Sequence, residues 1–71
     1  MTREEIKKII AKEIKYYKPF SAWSGYYKAP NGNTYGYQAC PNENARTAKA
    51  DIKNGIIRSV LKAVDEGKIV Y

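Results

Sequence analysis

The chain has 71 residues, with 13 Lys+Arg against 7 Asp+Glu, no His and a single Cys, for a formal charge of +6 at pH 7. That length fits one domain, 1–71, which buries only about 60% of the surface its unfolded form exposes, so the core is small. Without His and with one thiol, Cys40, the sequence excludes a His general base, Ser–His and Cys–His pairs, an internal disulfide, and a zinc site built from Cys and His within one chain.

Residues 2–18 read as an amphipathic helix. Thr2 with Glu5 three residues on has the capping-box spacing. Ile6, Ile9, Ile10, Ile14 and Tyr17 recur at helical spacing, and Pro19 ends the run. Lys8, Lys12 and Lys15 form one row on the solvent side of that helix.

Residues 20–40 change character, with Phe20, Trp23, Tyr26, Tyr27, Tyr35 and Tyr37 around a single charge, Lys28. Aromatic runs flanking Pro30-Asn31-Gly32-Asn33 predict a β-hairpin. Pro30 has no N–H to give a two-residue loop its flanking hydrogen bond. A three-residue loop fits instead, with Pro30 and Asn31 as the central turn residues and Gly32 in the left-handed position. That register pairs Tyr27 with Tyr35, Gly25 with Tyr37, Tyr26 with Gly36 and Trp23 with Ala39. It puts Trp23, Tyr27, Tyr35 and Tyr37 on one face, either as core against the helices or as a stacking surface for bases. Tyr26 and Lys28 fall on the other, more polar face as contact candidates.

Pro41-Asn42-Glu43-Asn44 is a loop leading to an N-cap at Asn42 or Asn44. Residues 45–66 are helical in pattern, with Asn54-Gly55 inside them. Either one helix tolerates that glycine, at about 1 kcal/mol, or two helices meet there. Gly67 is a natural stop, and Lys68-Ile69-Val70-Tyr71 is expected to add a third strand. Residues 44–71 superficially resemble a winged-helix segment, although Asp51 and Asn54 stand where that motif wants apolar residues. The predicted fold is α+β, in the order helix-strand-strand-helix-strand, with both helices on one face of an antiparallel sheet.

For function, the carboxylates sit among Lys and Arg or at helix ends, and none is placed by pattern in an apolar cleft. No glycine-rich phosphate loop is present. The chain is therefore expected to be no enzyme, with no catalytic residues, no metal and no cofactor. Its positive excess points to phosphates or another acidic surface. Arg46, Lys49 and Lys53 are the first choice, because Asp51 alone flanks them, whereas Glu4, Glu5 and Glu13 flank Lys8, Lys12 and Lys15. Tyr26 and Lys28 extend that patch if the sheet edge lies beside the start of the second helix.

The expected function is nucleic-acid binding, DNA or RNA, through a basic and tyrosine-rich surface. In size and in its lack of catalytic residues the chain resembles the small proteins of phages and mobile elements. Some of these, anti-CRISPR proteins among them, inhibit a host nucleic-acid-processing complex by occupying its surface. That likeness is one of general character, assigns no residue, and gives the alternative of a protein-docking inhibitor. The Ile69-Val70-Tyr71 edge offers pairing with a second copy. No apolar run nears the roughly 18 residues of a membrane helix. The mixed-charge start is unlike a secretory signal, so the expected location is cytoplasmic.

Overall fold

The computed structural model describes residues 1–71. Its elements are α1 (Arg3–Glu13), β1 (Lys15–Tyr17), β2 (Ser24–Lys28), β3 (Thr34–Gln38) and α2 (Ala45–Asp65). The α+β class stands, and the strands form one antiparallel sheet in the order β1-β2-β3. The third strand, however, precedes the hairpin instead of following the last helix.

Helix α1 starts at the capping box. Thr2 Oγ1 accepts the Glu5 N–H at 3.2 Å, and Glu5 Oε1 accepts the Thr2 N–H at 3.1 Å. The Thr2 N–H bond to the ionised carboxyl, and then the Thr2 side chain, hold the Glu5 pKa below its ordinary value. The contribution is therefore present above the ordinary carboxylate range and lost as pH falls through the lowered value. The helix stops at Glu13, five residues before the expected end at Lys18. Ile14 still gives its N–H to the Ile10 carbonyl at 3.0 Å but has turned to φ −61° and ψ 135°. Strand pairing outcompetes the last helical turn, with Lys15 opposite Tyr26, Tyr16 opposite Gly25 and Tyr17 opposite Ser24. Ile14 is buried in this arrangement too. Tyr16 packs half-buried against the core, and that burial raises its hydroxyl pKa.

The hairpin has the expected register, with Tyr27 opposite Tyr35, Gly25 opposite Tyr37 and Tyr26 opposite Gly36. Beyond β2 and β3, the Ala39 N–H meets the Trp23 carbonyl at 2.9 Å. In the loop, Gly32 donates to the Ala29 carbonyl at 3.0 Å and Ala29 to Asn33 at 2.9 Å. Gly32 sits at φ +86°, a conformation a Cβ would penalise.

Asn44 caps α2, accepting the Thr47 N–H at 2.9 Å. The helix then runs unbroken through Gly55 to Asp65, which leaves no turn for a winged-helix reading. The glycine is there for packing. The Tyr37 ring lies against it, and a Cβ at Gly55 would come within 2.7 Å of the Tyr37 Cγ. Gly25 makes the matching approach from the sheet, where a Cβ would fall 2.5 Å from Ile52 Cγ2. These two glycines let α2 lie close on β2 and β3.

At its end α2 closes in a Schellman turn, with Gly67 donating to Val64 at 3.0 Å and Lys68 to Ala63 at 2.9 Å. The expected strand over 68–71 does not form. The turn carries the chain back to the hairpin loop, where Asn31 Nδ2 donates to the Lys68 carbonyl at 3.2 Å. Ile69 then plugs the core, and the Tyr71 and Tyr27 hydroxyls meet at 2.7 Å. Burial, and then that hydrogen bond, push the Tyr71 pKa up. With no edge strand there, the pairing of two copies through Ile69-Val70-Tyr71 loses its basis.

The core joins Ile6, Ile10 and Ile14 to Ala48, Ile52, Ile56 and Val60 around Tyr27, with Trp23 and Tyr35 packed against it. Three residues of the hairpin's aromatic face, Trp23, Tyr27 and Tyr35, therefore serve as core under α2, while Tyr37 lays its ring against Gly55 and stays exposed.

Candidate functional site

The first-choice cations occupy the N-terminal half of α2. Arg46 is exposed in its first turn. One turn on, Lys49 Nζ stands 5.1 Å from the Trp23 ring centroid and 5.7 Å from that of Tyr16. These cation–π contacts fix the amine over the two rings and leave the lysine exposed. A further turn on, Lys53 is half-buried at a groove of about 280 Å³ between the helices, which Lys7, Lys8 and Glu4 also line. Within it Lys7 pairs with Glu4 at 3.4 Å. Helix packing thus brings Lys8 to Lys53 and extends the α2 row onto α1.

The expected row of Lys8, Lys12 and Lys15 is divided. Lys15 lies on β1 because α1 ends early. Lys12 and Lys15 instead line a separate cleft of about 410 Å³ with Glu13, Tyr26, Tyr27 and Lys28. Lys28 and Tyr26 accordingly join that cleft and do not extend the α2 patch. The reason is strand direction. Lys28 lies at the hairpin loop, next to the end of α2 through the Asn31–Lys68 bond, whereas α2 begins beyond the far end of β3.

Two features escape the sequence pattern. Tyr17 fits the apolar stripe of a helix, yet on β1 it is 48% exposed and meets the Tyr26 ring edge-on, with centroids 6.1 Å apart. The second is an acid pair, Glu43 and Asp51, beside the α2 row. Glu43 Oε2 is buried with no donor in reach. The neighbouring Asp51 carboxyl can hydrogen-bond to Glu43 when Glu43 is protonated. That hydrogen bond, then burial and the Asp51 charge, raise the Glu43 pKa, while the Cys40 thiol pulls it the other way.

The sign of the pH dependence follows. A carboxyl with a raised pKa stabilises the fold below its ordinary value, and this is lost as pH rises through the raised value. Asp51→Asn supplies a permanent N–H donor. The variant's unfolding midpoint should exceed that of the native chain by several degrees at pH 8, with the gap closing near pH 4. Equal midpoints at both pH values would mean the two acids do not interact.

No group of three or more His, Cys, Asp or Glu side chains is placed to hold a metal ion. No helix is long and apolar enough to cross a membrane. Compared with protein-family models, with curated proteins and with solved structures, the chain matches none of them.

Proposed function

We propose that the chain is a non-catalytic nucleic-acid-binding protein of the cytoplasm that grips a phosphate backbone along Arg46, Lys49, Lys53 and Lys8. The observation that carries this reading is the placement of Lys8 beside Lys53 at one interhelical groove. Together with Arg46 and Lys49 it makes a strip running along two turns of helix, about 10 Å, and across to α1. Of the nearby acids, Glu4 is paired with Lys7. Arg46 is exposed at the start of α2, where free N–H groups also favour anions, and it can take a phosphate with two parallel hydrogen bonds.

Fluorescence anisotropy with labelled single- and double-stranded oligonucleotides at two salt concentrations tests the proposal. Four phosphate contacts give a log–log salt slope of about −3.6 on duplex DNA, an affinity loss of about 150-fold between 50 and 200 mM salt. No binding at low salt would sink this reading. The strip would then pass to the acidic surface of a host protein complex, as an anti-CRISPR-like inhibitor uses.

A further inference from the structure

We propose that the outer face of the sheet is a second site, which takes the unpaired bases of a single-stranded nucleic acid. Helix α2 packs on the opposite face, and the outer face is open except at its Tyr17 end, where Ser24 is buried. Of the residues that strand alternation turns outward, Lys15, Tyr17, Tyr26, Lys28, Gly36 and Gln38 are exposed and Ser24 is buried. Tyr17 and Tyr26 are 48% and 44% exposed at adjacent positions on neighbouring strands. Neither ring belongs to the core, whose tyrosines are Tyr27 and, packed against it, Tyr16, Tyr35 and Tyr71.

Gly36 lies opposite Tyr26 on the third strand and has no side chain, so the ring's β3 side is open. The outward residues include no carboxylate. Lys15 and Lys28 border the rings, and Lys12 joins them at the adjoining cleft, where Glu13 at the rim is the one acid. Flat aromatic faces framed by cations are what a strand of unstacked bases needs, with rings for the bases and amines for the phosphates. A duplex keeps its bases stacked inside and has no face to offer a tyrosine, so the rings favour single strands. This site is separate from the α2 strip and uses different residues.

The experiment titrates the full chain into labelled oligouridine, labelled oligothymidine and a labelled duplex. The Tyr17→Ala/Tyr26→Ala variant should lose about 5- to 150-fold in single-strand affinity per stacked base and keep its duplex affinity. Tyr17→Phe/Tyr26→Phe, which retains the rings, should bind single strands as the native chain does. In the Arg46→Glu/Lys49→Glu background, which weakens phosphate contact for any strand, the Tyr17→Ala/Tyr26→Ala change should still lower single-strand affinity by the same factor. Circular dichroism and the unfolding midpoint verify that each variant folds, as expected for changes at exposed rings. The proposal is overturned if the alanine pair leaves single-strand binding intact or if the phenylalanine pair abolishes it. It is equally overturned if, once Arg46 and Lys49 are reversed, the alanine pair has no further effect on the remaining single-strand binding, which would leave the strip as the sole site. Single-strand binding without duplex binding would instead remove the strip reading and leave this one standing.

Discussion

Arg46→Glu/Lys49→Glu should weaken duplex binding by at least about 100-fold, since each charge-assisted contact to phosphate contributes about 1.5–3 kcal/mol and the new carboxylates repel the backbone. The salt slope should shrink by about 2, the number of contacts removed. The fold should tolerate the change. Both side chains are exposed, and the main loss is the cation–π contact of Lys49, worth about 0.5–1 kcal/mol at an exposed site and so at most about 8 °C in midpoint. The division of the lysine row sharpens the test. Lys8→Glu should weaken duplex binding, because Lys8 borders Lys53, whereas Lys12→Glu should not, because Lys12 lines the other cleft. The reverse ranking would show that the wrong side of α1 had been chosen.

Ile52→Ala should produce the largest loss of stability. Ile52 is 0% exposed at the centre of α2. Its Cγ2 occupies the space in front of Gly25, the one place in β2 where a neighbour has no side chain to relax into the void. Truncating a buried Ile to Ala costs about 2–5 kcal/mol. A chain of this length has a total of about 4–10 kcal/mol, so the midpoint should fall by about 10–30 °C. The pair is expected to be non-additive. Gly25→Ala alone should destabilise, because its Cβ would lie 2.5 Å from Ile52 Cγ2. In the Ile52→Ala background the same methyl enters the vacated space and should restore part of the loss. Additive losses would show that α2 does not seat on Gly25.

The hairpin register was legible because it depends on local facts, namely a proline without an N–H, a glycine three residues from Ala29 and the alternation of the flanking rings. The caps were legible for the same reason. The end of α1 was not. Ile14 and Tyr17 satisfy a helical stripe as well as they satisfy a short strand, and what chooses between them is a bond to β2, distant in sequence. The C-terminal residues have strand propensity, but Ile69 is worth more as a core plug than in a ladder, and the Gly67 turn delivers it there. Gly55 was ambiguous because its partner is the Tyr37 ring, which only tertiary packing brings to it. The α2 row could be read from its spacing. Its continuation to Lys8 could not, because that depends on how α1 crosses α2, and the exposure of Tyr17 followed only once β1 had replaced the last helical turn.

Helix α1 is also the element held by the fewest means. It has 11 residues, a length at which an isolated helix is marginal in water. The sheet strands and α2 follow one another in the chain, while α1 must close against a helix from the other end of the sequence. Its anchors are the side chains of Ile6, Ile10 and Ile14 and an exposed Arg3–Asp65 pair at 2.8 Å, which adds little. The amides of α1 therefore open to hydrogen exchange at a lower free energy than those of β2 and the middle of α2. Since Lys8 rides on α1 and Lys53 on α2, a phosphate held by both acts as a clasp across that seam. Binding and the docking of α1 are then linked, each tightening the other.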